Sequence, residues 1–443
     1  PSDSGNWSGL GPISSLQLRT AYGMAGLQPG AFDAFTSYLA LASANGAGIA
    51  PNNLGDPDLK PEVSKEFEIG FNAGLFNNKF NLEFTYWDRI TTDALYARQF
   101  PLSGGFRNQQ LTNVGELEAN GLEINLSGNI IRKGDLTVNA YVNAAYLQEN
   151  VKSLGGAPPL KVGGSYPRYR NFLQEGFAPG ANFGAKLASV PSGSLPIDIA
   201  NGDGLPDTSQ QLVAFLTGNG SYSLPTSIGT GSVLLADEDG DGDYLDHYLG
   251  KSTPDWTGAF GGSVNYKNWT LNTTFEFKAG NFVINNLTDA FRQANGAIGR
   301  NLPRSAKVAR DYATGGVDGS FTPQGDGNVR LAALDEWLNN TLALAPFSGL
   351  NTLEKADFVR WRELSLNYNI TGSILDQFSL DTASVGLSGR NIAIFTSYTG
   401  VDPEINFVGR GSGSNLDQNY GQGIAAFGWP IPTQVLLTLK VGF

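Results

Sequence analysis

The residues best spaced for chemistry lie between positions 237 and 246. Asp237, Asp239 and Asp241 alternate, Gly242 follows, and Asp243 and Asp246 come next. Oxygens at positions one, three and five with Gly at six match the first half of a calcium loop. The Gly allows a sharp turn, and the alternate carboxylates converge on one hard cation. Position twelve, where a bidentate acid would complete the set, is Tyr248. Asp243 (through its backbone carbonyl) and Asp246 could contribute instead. Weak binding of Ca2+ or Mg2+ is expected, as in extracellular modules. The alternative is a solvated acidic turn. A second piece, Asn201 to Asp207, has Ile199 where the first acid would stand, and reads as a turn.

Other chemistry is sparse. The chain has no Cys and one His, which excludes thiolate nucleophiles, disulfides and any multi-histidine metal site within it. His247 is expected to be a solvated residue of the acidic loop. Glu62, Glu66, Glu68 and Glu83 offer carboxylates that could pair for glycoside hydrolysis. Carboxylates on an ordinary polar sheet face explain them as well, so no catalytic residue is assigned and an enzyme is not expected. Tyr166, Tyr169 and Phe172 interleave with Arg168 and Arg170. They could stack on a sugar or peptide, or pack within their own loop. The net charge of −12 argues against nucleic acid, which needs a basic footprint.

The elements that must position these residues are strands. In 66–76, Phe67, Ile69, Phe71, Ala73 and Leu75 alternate with Glu66, Glu68, Gly70, Asn72 and Gly74. The same period of two recurs over 79–88, 118–128, 135–147, 269–278, 358–370 and 435–443, and less cleanly over 15–23, 256–265 and 384–395. Alternation places one set of side chains on each face of a sheet, so about ten strands are expected. Asn77-Asn78, Arg132-Lys133-Gly134, Tyr266-Lys267-Asn268 and a modest turn around 371–380 make short connections. Between them lie long stretches rich in Gly, Pro, Asn and Asp: 24–65, 89–117, 148–255, 279–357 and 396–433. Short and long connections alternate strictly. No run reaches the roughly 18 apolar residues of a membrane helix. Outer-membrane barrels have short turns at one end and long loops at the other. The expected fold is therefore all-β, a transmembrane antiparallel β-barrel with long extracellular loops. The alternative is a soluble β-sandwich or propeller. Tyr86, Trp87, Tyr146, Trp256, Tyr266, Trp269 and Trp361 fall near strand ends, where interfacial aromatics occur.

Several fragments, in order, resemble SusC/RagA-type TonB-dependent outer-membrane transporters. They are Leu18-Arg19-Thr20-Ala21-Tyr22-Gly23, Asp56-Pro57-Asp58-Leu59-Lys60-Pro61-Glu62, Asn120-Gly121-Leu122-Glu123, Arg360-Trp361-Arg362-Glu363-Leu364-Ser365-Leu366, Ser388-Gly389-Arg390-Asn391 and Thr399-Gly400-Val401-Asp402-Pro403-Glu404, with a terminal Phe443. The family's usual Arg before the last strand is replaced here by Pro430-Ile431-Pro432-Thr433.

The resemblance implies that residues 1–443 are the C-terminal portion of a barrel of 22 strands. The plug, the TonB box and an N-terminal domain would precede Pro1, making the chain a processed or truncated product. It further implies uptake of oligosaccharides or peptides across the outer membrane of a Gram-negative bacterium. A SusD-like surface lipoprotein would be one partner and the TonB complex, acting through the plug, another. Outer-membrane lipid would surround the strands. The alternatives are a structural or adhesive barrel that presents acidic loops without transport, and a soluble calcium-dependent carbohydrate-binding β protein. The residues that contact substrate cannot be read from the sequence.

Overall fold

The computed structural model describes residues 11–43, 46–99, 103, 106, 108–113, 115–162, 169–184, 245–288, 352–406 and 422–443. Ten long strands form one antiparallel sheet. They are β1 (Ile13–Leu27), β2 (Glu62–Leu75), β3 (Phe80–Thr92), β4 (Glu116–Lys133) and β5 (Leu136–Ser153). Then follow β6 (Trp256–Tyr266), β7 (Trp269–Ala279), β8 (Phe358–Ile370), β9 (Thr382–Thr396) and β10 (Gln434–Gly442). Each pairs with its neighbours in this order, an up-and-down meander with β1 and β10 at the edges. All ten strands expected from alternation are present.

Turn chemistry fixes the tight ends. Phe76, Asn77 and Asn78 all take positive φ (52°, 58° and 57°) between β2 and β3, and Gly134 does so at 57° between β4 and β5. Asn tolerates this region better than most residues, and Gly enters it freely. Between β8 and β9 the turn holds one short helix, α1 (Ser373–Gln377).

The long connections are not bare loops. They carry a Ser37–Ser43/Gly46–Asn53 hairpin and a Leu95–Gln99/Gln109–Asn113 hairpin. A four-stranded sheet of Leu160–Lys161, Asn171–Leu173, Ala181–Gly184 and His247–Lys251 follows. A three-stranded sheet joins Leu353–Lys355, Val283–Asn286 and Ile424–Ala425. These strands have two to eight residues, several of them too few for a period of two to stand out. Their pairing satisfies backbone groups that a long covered loop would leave orphaned.

Register sorts the main sheet into two faces. Val138, Val264, Leu271, Leu366, Leu387 and Leu437 sit side by side across six strands on one face. The adjacent row reads Asn139, Ser263, Asn272, Ser365 and Ser388 on the other. There Asn139 donates to Ser263 and Asn272 to Ser365. A slip of one residue would exchange the faces, so the pattern enforces the register. The apolar face is open: Leu18 and Leu437 are each 76% exposed. No helix among the described residues is long and apolar enough to cross a membrane, which says nothing of crossing by strands.

The apolar face has a defined height. Trp256, packed on Tyr146, and Tyr266, opposite Trp269, lie ten steps apart on β6. At ~3.4 Å per residue, the two aromatic levels stand ~34 Å apart along the strand.

Candidate functional site

The polar face holds a cleft of about 340 Å³. Register places Arg19, Gly70, Thr85, Glu123, Ala145 and Thr257 in one row and Glu83, Asn125 and Asn143 in the next. The Arg19 guanidinium reaches from β1 across β2 to donate to Thr85 Oγ1 on β3. Gly70 leaves it room, since a Cβ there would sit 3.1 Å from Arg19 Nε. One row further along, Trp87 lies over Gly121, whose added Cβ would come within 2.6 Å of the indole. Arg89 stacks on that indole 5.2 Å from its centre and pairs with Glu66 at 2.5 Å. Arg19, Glu83, Thr85, Glu123, Asn125 and Asn143 thus line the cleft with donors and acceptors, an arrangement suited to gripping a hydrophilic ligand reversibly. Of the four carboxylates singled out in the sequence, Glu66 is committed to Arg89 and Glu62 accepts from the Leu95 amide at 3.0 Å. Glu68 and Glu83 stay on the polar face.

A buried ion network closes the long-connection end. A β-bulge leaves Arg362 of β8 without a register partner on either side, which re-aims its side chain. Arg362 contacts Glu276 at 2.5 Å, Glu404, and Asn391. Arg360 donates to Asp402 Oδ1 at 2.5 Å. Its Nε sits 2.6 Å from Glu404 Oε2, a charge contact out of hydrogen-bond alignment. Asp402 also accepts from the amides of Glu404 and Ile431. Both Arg360 and Asp402 are buried. This network ties the segment after β9 and the approach to β10 onto β7 and β8. The sequence displays these residues, but partners 42 positions apart give no local signal.

The four-stranded sheet above the barrel is also built tightly. Arg170 is buried and donates to the carbonyls of Phe183 and Leu245. It lies over the Phe172 ring, and Tyr169 packs against Leu287 and Ile424. Arg170 and Phe172 thus pack within their own connection, whereas Tyr169 packs on two others. Tyr166 and Arg168 lie outside the described residues. Asn171 and Asn182 are fully buried, and both donate to Ser252 Oγ. Burial, with the Arg170 charge beside it, lowers the Lys161 ammonium to about 8. Burial and the nearby Asp255 raise the Tyr248 phenol, which stays neutral.

The expectation for His247 is corrected. It is 7% exposed and opens the strand His247–Lys251, opposite Gly184. The long connection builds its own sheet, and that sheet covers the imidazole. Asp246 Oδ1 lies 3.5 Å from His247 Nδ1. Asp237, Asp239, Asp241 and Asp243 lie outside the described residues, as does Asn201 to Asp207.

Residues 4–222 match the family model described as TonB dependent receptor-like, beta-barrel. The ten-stranded sheet that begins in this segment continues unbroken in order to β10. The fold is that of a TonB-dependent receptor β-barrel. Among its relatives, TonB-dependent receptor P3 of Formosa agariphila is 26% identical over 424 residues, covering 92% of this chain and 38% of that protein. TonB-dependent receptor P39 of the same organism is 23% identical, covering 98% and 41%. Among solved structures, the RagAB peptide transporter superposes with a TM-score of 0.65 at 20% identity, over 99% of this chain and 42% of that one. The chain thus spans about two fifths of the length of the relatives it matches. TonB-dependent receptor barrels are transporters of the Gram-negative outer membrane. The exposed Leu and Val rows lie on the opposite face of the sheet from the Arg19–Glu123 cleft.

Proposed function

We propose that this chain forms part of the barrel of an outer-membrane importer for oligosaccharides or peptides. A plug and further strands in the remaining length would complete a barrel of about 22 strands, by likeness to its family. A SusD-like surface lipoprotein would present cargo at the long-connection end, and TonB would drive release through the plug. The role makes and breaks no bond.

One observation carries this reading. A single meander has tight turns at one end and structured connections at the other, with a polar groove of about 340 Å³ on the face away from the apolar rows. Cells with and without the gene for the complete protein test it, using fluorescent oligosaccharides and hexapeptides as cargo. Uptake that needs the gene and stops when a protonophore collapses the proton gradient is expected. Equal uptake without the gene would refute it.

The Asp237–Asp246 segment is proposed to hold one Ca2+ or Mg2+ weakly, on its spacing alone. Titration calorimetry at millimolar Ca2+, with chelator as control, reads this directly. No heat beyond the control would remove the cation.

A further inference from the structure

A second cleft, of about 410 Å³, lies above the barrel where the four-stranded and three-stranded sheets meet. Its walls include Tyr248, Gly250, Phe282, Val283, Lys355 and Asp357. A parallel bridge between Lys251 and Phe282 joins the two sheets beside it.

Three features of this lining point to a ligand. Tyr248 is 38% exposed, yet its ring is held by Phe177 and Phe183 with centres 5.0 and 5.9 Å away. It is a fixed aromatic platform rather than a swinging side chain. The Asp357 carboxylate has no hydrogen-bond or ion-pair partner among the described residues, and its Oδ1 is shielded from solvent. Such acceptors are rare and call for a donor. Lys355, on the same wall, makes no ion pair among the described residues and supplies an ammonium with three protons to give.

We propose that this cleft binds one sugar ring of an oligosaccharide. The C–H face of a pyranose carries partial positive charge and fits the negative face of the Tyr248 ring. Ring hydroxyls donate to the open carboxylate oxygen, Asp357 Oδ2, and accept from Lys355. A pyranose offers all three complements, and the cleft volume of about 410 Å³ lies in the range of small-ligand sites. An extended peptide fits less well. Peptides added to a sheet draw affinity from a run of main-chain hydrogen bonds. The edge strand beside the cleft, His247–Lys251, has five residues and is kinked at Gly250, whose φ is 116°. The inference rests on the importer reading and narrows its cargo to saccharide at this position.

The complete protein, purified in detergent, is titrated calorimetrically with hexasaccharides of glucose, mannose, galactose, xylose and guluronate, and in parallel with a panel of hexapeptides. Binding of at least one hexasaccharide is expected. Tyr248→Ala should weaken it about tenfold, and Tyr248→Phe by less than about threefold, since the ring face does the binding. Asp357→Asn should weaken it about fivefold, because the amide loses a charged acceptor. No hexasaccharide bound, equal affinity in Tyr248→Ala and the unaltered protein, or Tyr248-dependent binding of peptides alone would each overturn the proposal. Uptake by cells separates the two readings. If deleting the gene leaves uptake unchanged, the importer fails, while the titration still decides the cleft.

Discussion

The side chains that cost most to disturb are Arg360, Arg362, Asp402 and Glu404. Arg360→Met would leave Asp402, whose side chain is 4% exposed, without a cation, and Glu404 with Arg362 alone. Removing one partner of a buried pair typically costs ~3–5 kcal/mol. Arg390→Met breaks a pair at 3.5 Å whose side chains are 54% and 39% exposed, and such a pair contributes under ~1 kcal/mol. Thermal unfolding of the detergent-solubilised complete protein, followed by circular dichroism, should separate the two variants clearly. Equal losses would mean the network is not buried as described. Lys161 offers a second residue-scale test. Its folded pKa, about 8, lies below the ordinary 10.5. The folded state therefore disfavours the ammonium. The penalty is full below pH 8 and is relieved as pH rises from 8 toward 10.5, so this residue makes stability increase with pH across that window. Only the neutral amine acylates, so labelling of Lys161 by an activated ester, read by mass spectrometry, should rise with a midpoint near pH 8. A midpoint at the ordinary 10.5 would contradict the burial.

At the scale of elements, the strands fit together through small residues. Arg19 crosses β2 only because Gly70 has no side chain. Gly70→Val would press on the Phe84 backbone and on the guanidinium, and the contact with Thr85 would be lost. Overpacking of this kind costs ~1–3 kcal/mol. The loss should concentrate at the β1 edge, where amide exchange on Leu18 to Tyr22 would speed up while β4 and β5 stay protected. Uniform acceleration across the sheet would show that Gly70 acts globally instead. The ten long strands were legible in the sequence because one face must be apolar and the other polar over nine or more residues. Phe67, Ile69 and Phe71 against Glu66, Glu68 and Gly70 is enough. The outer layer was not legible for a physical reason. Strands such as Leu160–Lys161 and Ile424–Ala425 have two residues each and are held by partners far along the chain. His247 was misjudged for the same cause, since its acidic neighbours suggest solvent while the pairing with Gly184 buries it. The bulge that aims Arg362 and the Asp357 carboxylate, without a partner among the described residues, are likewise products of tertiary pairing, invisible to local spacing.

At the scale of the whole molecule, the proposed importer requires two neighbouring residues to meet opposite solvents. Leu126 is 39% exposed on the apolar face, in register with Val142 and through it with Phe260, which lies between the aromatic levels of Trp256 and Tyr266. Asn125 lines the polar cleft on the other side of the same strand. A membrane barrel makes these positions unequal in a way no soluble sheet would. Arg on the lipid face near mid-bilayer costs ~2–4 kcal/mol, whereas a lumen substitution mainly tunes selectivity. Leu126→Arg should therefore lower the folded yield of the complete protein in phospholipid vesicles severalfold, and Asn125→Arg should leave it nearly unchanged. In detergent-free buffer neither variant should fold. The ordering is the informative part. If both substitutions were tolerated alike, or if the unaltered protein were recovered folded without detergent or lipid, the exposed Leu and Val rows would have to face something other than a bilayer.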